Sequence, residues 1–343
     1  MTIKPGAFRF NTDSLKLEVF RGEGDVGQWE EIVSTSPLTQ TGGTRAVLMG
    51  GYYPVGNHQD EIQYINIETC GNGLLFGELT VSDENHVNTG VGDRTRAISC
   101  GGSKSPGVYT SDMEFITMAS TGNAVDFGAD LTDLKYGMGS GGNSTRGLIA
   151  GGNTPGGTKI AQIDYVTIQS TGVAAQDFGD LTQGKEYIAV SMCSPTRSLF
   201  GGGNTGSRQD EIDCVTTSTL GNAADFGDLR HDMSDHKGGI TSNSVRGINM
   251  GGFAAPANVS TIEYFTLATF GNYKDFGDLP AIRSQAGGAS NAIRCVSMGA
   301  GSPAYSNDIQ YVTIATAGDS KEFGDLYAPR GYAACHSNGH GGL

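Results

Sequence analysis

Thr44-Arg45-Ala46-Val47-Leu48-Met49-Gly50-Gly51 reads as an arginine, an apolar run and a glycine pair, and the chain repeats it. The block returns as Arg96 to Gly101-Gly102, Arg146 to Gly151-Gly152, Arg197 to Gly202-Gly203, Arg246 to Gly251-Gly252 and Arg294 to Gly299. Successive arginines stand 51, 50, 51, 49 and 48 residues apart. Each block leads to a second stretch, Ile62-Gln63-Tyr64-Ile65-Asn66-Ile67 in the first copy, with later copies beginning at Met113, Ile163, Ile212, Ile262 and Ile309. A third signature closes each unit: Phe76-Gly77-Glu78-Leu79, Phe127 to Leu131, Phe178 to Leu181, Phe226 to Leu229, Phe276 to Leu279 and Phe323 to Leu326. A fourth stretch of small residues follows, as in Tyr136-Gly137-Met138-Gly139-Ser140 and Tyr187-Ile188-Ala189-Val190-Ser191.

Short β-branched runs between Gly, Asn, Ser and Pro clusters predict strands. Alternation places Ile62 and Tyr64 on one face of their strand and Ile65 and Ile67 on the other, so both faces are apolar. That suits a strand sandwiched between two neighbouring sheets. Four strands per ~50 residues describe a propeller blade, and no 3.6-residue period supports helical repeats. The expected fold is all-β: a six-bladed propeller over residues 44–343, with residues 1–43 outside it. The small-residue stretch recurs once more as Arg330-Gly331-Tyr332-Ala333-Ala334-Cys335-His336-Ser337, with no arginine block after it. We therefore expect residues 331–337 to pair with the strand begun by Arg45 and close the ring.

The repeat resembles the Kelch family, with its di-glycine after an apolar strand and an aromatic-bearing strand following. The likeness spans residues 44–343. The late tryptophan of Kelch repeats is missing, and Phe76, Phe127, Phe178, Phe226, Phe276 and Phe323 stand nearest its place. The Gly-to-Tyr spacing is also longer, so "Kelch-like" is the fitting term.

Glycine supplies 54 of 343 residues, without the every-third-position period of collagen. Hydrophobic residues make up 37%, enough for a core. Lys and Arg number 22 against 36 Asp and Glu, a net charge of −14 that repels phosphate backbones and argues against nucleic-acid binding. No apolar run is long enough to span a membrane, and Met1 to Gly6 lacks the apolar block of a signal peptide. Cys70, Cys100, Cys193, Cys214, Cys295 and Cys335 form no Cys-x-x-Cys pair, which points to reduced, structural cysteines in a reducing cytoplasm. There is no Gly-x-Ser-x-Gly elbow, no His-Glu-x-x-His and no P-loop, and the six histidines show no ligand spacing. No catalytic residue, metal site or cofactor is expected.

Residues outside the repeat carry a different signal. Ala7-Phe8-Arg9-Phe10-Asn11-Thr12-Asp13-Ser14-Leu15-Lys16-Leu17-Glu18-Val19-Phe20 predicts two alternating strands around an Asn-Thr-Asp-Ser turn. A Gly-rich turn over Arg21 to Gly27 precedes Gln28-Trp29-Glu30-Glu31-Ile32. Leu15, Leu17 and Val19 share a face that a lone hairpin cannot bury. The segment resembles a hairpin of tailed-bacteriophage structural proteins, notably tail fibres, with Phe20 where that pattern has Tyr and a longer insertion before Trp29. The resemblance covers about 26 residues. It implies attachment to other virion proteins, or self-association, through Phe8, Phe10, Leu15, Leu17, Val19 and Trp29. The alternative is an extra edge strand packed on the ring.

Two polar positions recur: Arg45, Arg96, Arg146, Arg197, Arg246 and Arg294, and the acids Glu78, Asp130, Asp180, Asp228, Asp278 and Asp325. Six near-identical copies suit a repeated ion pair or turn cap, and the sharper alternative is an arginine ring that binds an anion. Binding function is expected in the loops that differ between repeats, where Tyr52, Tyr53, Tyr109, Phe253 and Tyr305 offer rings for stacking on sugars or packing against a protein. The expectation is a non-enzymatic virion protein assembled in the host cytoplasm: a homo-oligomer, trimer included, of tail-fibre or appendage type. It would bind a host-surface glycan or protein, without nucleic acid or membrane insertion. A capsid or tail decoration protein without receptor binding is one alternative, and a Kelch-like propeller enzyme is another.

Overall fold

The computed structural model describes residues 7–11, 16–23, 26–31, 43–53, 60–80, 87–105, 108–235 and 238–343. The chain divides into two compact units, Met1–Thr39 and Gln40–Leu343. Among the described residues every regular element is a β-strand.

The first unit is a three-stranded antiparallel sheet of β1 (Phe8–Asn11), β2 (Lys16–Glu23) and β3 (Val26–Glu31). The turn expected over 21–27 is a correction: Arg21–Glu23 belong to β2 and pair with Val26–Gln28 of β3. Phe20 is buried edge-on against Trp29 at 5.4 Å, and Arg9 lies 4.4 Å over the Trp29 ring while its Nε meets Glu18 at 2.7 Å. These contacts pin the register of Phe20 opposite Trp29. Phe8 is exposed and Val19 half-buried. Leu15 and the side chains of Phe10 and Leu17 lie outside the described residues.

The second unit is built from antiparallel sheets in chain order. The first holds β4 (Arg45–Met49), β5 (Glu61–Asn66) and β6 (Leu74–Glu78). The next holds β7 (Thr89–Gly92), β8 (Arg96–Ser105), β9 (Val108–Thr117) and β10 (Val125–Asp126), and the third β11 (Gly139–Gly142), β12 (Arg146–Ala150), β13 (Gln162–Thr167) and β14 (Gln176–Asp180). A seven-stranded sheet runs through β15 (Val190–Cys193), β16 (Arg197–Gly201), β17 (Gln209–Thr216), β18 (Ala224–Ser234), β19 (Arg246–Ala254), β20 (Ala257–Thr266) and β21 (Lys274–Asp278). Its halves join only where Met233 and Ser234 pair with Ala254 and Phe253. The last sheet holds β22 (Gly287–Ser290), β23 (Arg294–Ala300), β24 (Ser306–Thr313) and β25 (Lys321–Asp325). Finally β26 (Ala334–Ser337) pairs with β4, Ala334 opposite Met49 and Ser337 opposite Ala46, as expected for the C-terminal stretch.

Apolar clusters fill the spaces between successive sheets. Ile62 and Tyr64 pack with Phe76 of their own sheet and with Ala97 and Ile116 of the following one, while Ile65 and Ile67 pack with Val296, Ile309 and Phe323 of the last sheet. The two-faced strand read from alternation is therefore present. Each closing phenylalanine is buried, and five of the six stand edge-on to the aromatic of the second strand, as in Tyr64–Phe76 and Tyr311–Phe323.

Three sets of polar contacts step from sheet to sheet. The guanidinium of Arg45 donates to Met118 O, Arg96 to Ile168 O, Arg146 to Ser218 O, Arg197 to Ala268 O, Arg246 to Ala315 O and Arg294 to Glu68 O, the last returning to the first sheet. The closing signatures behave likewise: Gly122 N–H donates to Phe76 O and Gly318 N–H to Phe276 O, and Gly71 N–H donates back to Phe323 O. The third set is a circuit of six bonds, 2.7 to 3.0 Å long. Gly137 N–H donates to Val87 O, Tyr187 N–H to Gly137 O, Asp235 N–H to Tyr187 O, Gln285 N–H to Asp235 Oδ1, Tyr332 N–H to Gln285 O and Val87 N–H to Tyr332 O. Val87, Tyr187, Gln285 and Tyr332 hold φ between 51° and 61° to complete it. Non-glycine residues seldom adopt that conformation unless their surroundings impose it.

One segment leaves the pattern. Among the described residues before β19 no fourth strand forms; the Ser242–Gly247 bridge and a bond from Ile248 N–H to Thr241 O stand in its place. Gly238 O instead accepts the N–H groups of Gly90 and Cys335, which belong to β7 and β26. Side chains on Gly238 or Gly239 would overlap Ala333 O or Gly288 O, so only glycine fits there.

Candidate functional site

The recurring arginines and acids do not form the expected ion pairs. Among the described residues, each repeat arginine lies on an aromatic ring at 4.2 to 5.0 Å, Tyr64, Phe115, Tyr165, Phe270, Tyr264 or Tyr311, and spends its N–H groups on the next sheet's carbonyls. Each guanidinium thus has its own partners, and none is left to a shared anion. Glu78, Asp130, Asp180, Asp278 and Asp325 extend their side chains into solvent and Asp228 is half-buried, where a salt bridge contributes little. Their backbones carry the contact: Asp180 N–H donates to Asn222 Oδ1 and Asp325 N–H to Asn72 Oδ1. These bonds run between neighbouring sheets and leave the carboxylates out.

Buried ion pairs occur elsewhere, at positions the repeat analysis passed over. Lys135 meets Asp164 at 3.0 Å and Lys185 meets Asp213 at 2.6 Å, all four side chains fully buried. Arg283 pairs with Asp308 and Arg330 with Glu61. Each cation precedes a small-residue stretch. Before the displaced segment the corresponding residue is Met233.

A cavity of about 280 Å3 is lined by Tyr187, Asn204, Arg208, Ser234, Asp235, Phe253, Gln285 and Tyr332. Four of these, Tyr187, Asp235, Gln285 and Tyr332, belong to the six-bond circuit, which fixes their backbones. Phe253 comes from the β19 extension that pairs with β18, and Arg208 lies 4.2 Å over its ring. The Arg208 Nε is buried and makes no hydrogen bond. Glu186 steadies Asn204, accepting its Nδ2–H at 3.3 Å as well as Asn153 Nδ2–H at 2.6 Å. Burial, reinforced by the Glu186 charge, raises the Tyr187 phenol above its usual range. Burial beside Tyr305, Tyr187 and Asp235 raises Tyr332 as well. Both hydroxyls stay protonated at neutral pH and can donate.

No family model and no curated protein matches the chain. The site is therefore defined by its geometry.

Of the five aromatic candidates, Phe253 lines the cavity. Tyr305 sits 5.6 Å from Tyr52, and Tyr109 stacks on Tyr136 at 4.6 Å, which in turn meets Tyr187 at 5.8 Å. Tyr53 is half-buried and outside the cavity lining. Tyr187 and Tyr332, which line the cavity, stand in the small-residue stretches. A bulky aromatic in a stretch otherwise reserved for small residues was the signal. Nothing in the sequence brings Asn204, Arg208 and Asp235 together.

Among the described residues no group of three His, Cys, Asp or Glu side chains could hold a metal ion. None of the six cysteines forms a disulfide; Cys70 is exposed and the others are buried. His336 and His340 are fully buried, their rings 5.1 Å apart. His231, expected in a solvated loop, is half-buried in β18, while His58, His86 and His236 lie outside the described residues.

Proposed function

We propose that the second unit is a six-bladed Kelch-like β-propeller that serves as the host-binding module of a tailed-phage virion protein, most simply a tail fibre or other appendage. Three observations support the propeller: inter-sheet contacts that return from the last sheet to the first, β26 completing the sheet of β4, and apolar clusters between successive sheets. The first unit is the attachment segment, and the phage-type sequence pattern of residues 7–32 supports that role. The reading is non-enzymatic, with no cofactor, nucleic acid or membrane insertion, and with other virion proteins and self-association engaged through the N-terminus.

The observation that carries host binding is the cavity of Tyr187, Tyr332 and Phe253 rings interspersed with Asn204, Arg208 and Asp235. Aromatic faces with a few convergent polar groups make a recognition site. Antibody labelling of purified virions, combined with adhesion of the purified protein to host cells, tests the reading. Label on an appendage and saturable adhesion are expected. Unlabelled particles, or no adhesion, would overturn it.

A further inference from the structure

We infer that the cavity beside Ser234 and Asp235 is a site for one neutral hexopyranose unit of a surface glycan. This rests on the host-binding reading above and names its ligand chemistry.

The volume decides the size. About 280 Å3 falls just below the ~300–1,000 Å3 typical of small-molecule sites, which is room for a single ring. The lining decides the chemistry. A pyranose presents an apolar C–H face and a rim of hydroxyls, each of which donates and accepts. Phe253, Tyr187 and Tyr332 supply faces and phenolic hydroxyls; Asn204, Gln285 and Ser234 supply amide and hydroxyl groups. Asp235 supplies a carboxylate acceptor, and the Arg208 Nε is a buried donor with no partner in the protein. The Arg208 guanidinium, 4.2 Å over the Phe253 ring, stands at the cavity wall.

Charge argues for a neutral ring. The lining carries one cation and one anion, Arg208 and Asp235, in a chain of net charge −14. An acidic sugar would gain from Arg208 but face the Asp235 carboxylate and the overall negative field. The site is also built rather than incidental. The circuit bonds through Tyr187, Asp235, Gln285 and Tyr332 hold it, and Glu186 fixes Asn204.

The test is ligand-observed NMR on the full-length protein with methyl hexopyranosides of glucose, galactose and mannose, methyl glucuronide and methyl sialoside. We expect at least one neutral hexoside to bind, with Phe253→Ala and Arg208→Met each weakening it tenfold or more and Tyr53→Ala leaving it unchanged. Thermal melting of each variant separates lost binding from lost folding, and Phe253→Tyr provides a milder change that should retain binding. Binding of only the acidic sugars would overturn the assignment, as would neutral binding unaffected by both folded variants. If no saccharide binds while the protein still adheres to host cells, the sugar site is wrong and the host-binding reading survives. If a hexoside binds but adhesion is absent, the host-binding reading falls and the sugar site stands.

Discussion

The sheet of β11–β14 and the half-sheet of β19–β21 are copies of one sequence unit that ended in different structures. In the first, Gly139–Gly142 forms a regular strand on β12. In the second, Gly238 and Gly239 turn away from β19 and pack against Ala333, Cys335 and Gly288, which belong to other sheets. The regular copy enters its strand through Lys135, buried against Asp164. At the matching place the irregular copy has Met233, whose sulfur takes a contact from Asn249 at 3.7 Å. A fully buried ion pair is intolerant of movement, because separating the charges leaves both desolvated. A methionine imposes no such condition. In this pair of copies the strand is regular where a buried cation precedes it and displaced where a methionine does, although β7 (Thr89–Gly92) also forms a regular strand with no Lys or Arg among residues 80–88.

The comparison can be broken most severely in the regular copies. Lys185→Met leaves Asp213 buried without its cation and should lower stability by about 3–5 kcal/mol, read from urea denaturation. The double variant Lys185→Met/Asp213→Leu should recover much of that loss. If the single variant unfolds like the parent, the anchoring argument fails.

A somewhat smaller effect is expected from acid, because the displaced segment packs against β26, which carries His336. Burial lowers the His336 pKa to about 4 from 6.5, and burial together with neighbouring His336 pushes His340 well below its usual value. Between pH 6.5 and 4 the unfolded chain binds protons that the folded chain refuses. Stability is therefore full above pH 6.5 and falls as the pH drops, the His336 share being roughly 3 kcal/mol once complete near pH 4. Melting curves across that range should slope this way, and His336→Gln should flatten them. An unchanged slope would assign the acid sensitivity to other groups.

Gly239→Val sharpens the comparison within the displaced segment. Its side chain would strike Gly288 O and the Cys335 Cβ, an overpacking expected to destabilise by about 1–3 kcal/mol. A neutral outcome by calorimetry would mean that the segment can move back toward β19. The mildest change is Arg96→Met, which removes the contact with the Phe115 ring and the bond to Ile168 O. About 1 kcal/mol is expected for this half-buried group, measured by the same denaturation.

Much of the fold was legible because the repeat is written in apolar spacing. The Arg-to-Gly-Gly block, the two-faced Ile62 to Ile67 strand and the pairing of residues 331–337 with the Arg45 strand all follow from residues close in the chain. The arginine–acid pairing was misjudged for a related reason. Recurrence of both charges in every repeat suggested that they meet, whereas the guanidinium reaches the next sheet and lies on an aromatic ring. In the first unit, the glycines of residues 21–27 suggested a turn, yet main-chain pairing from Phe20 to Glu23 carried the strand through them. The site was legible only in Phe253. Arg208 and Asp235 stand 27 residues apart, and no local pattern marks them as neighbours.

Sequence alone determined the number of repeats, the identity of the strand-forming runs and the position of the C-terminal stretch, because strand alternation and turn chemistry act over a few residues. Only the tertiary structure decided which backbone groups complete the six-bond circuit and where the glycine-rich segment before β19 would lie. It also decided which residues line the cavity. Those outcomes depend on which sheets touch, and a glycine-rich stretch with few side chains to bury takes whatever partner its neighbours leave open.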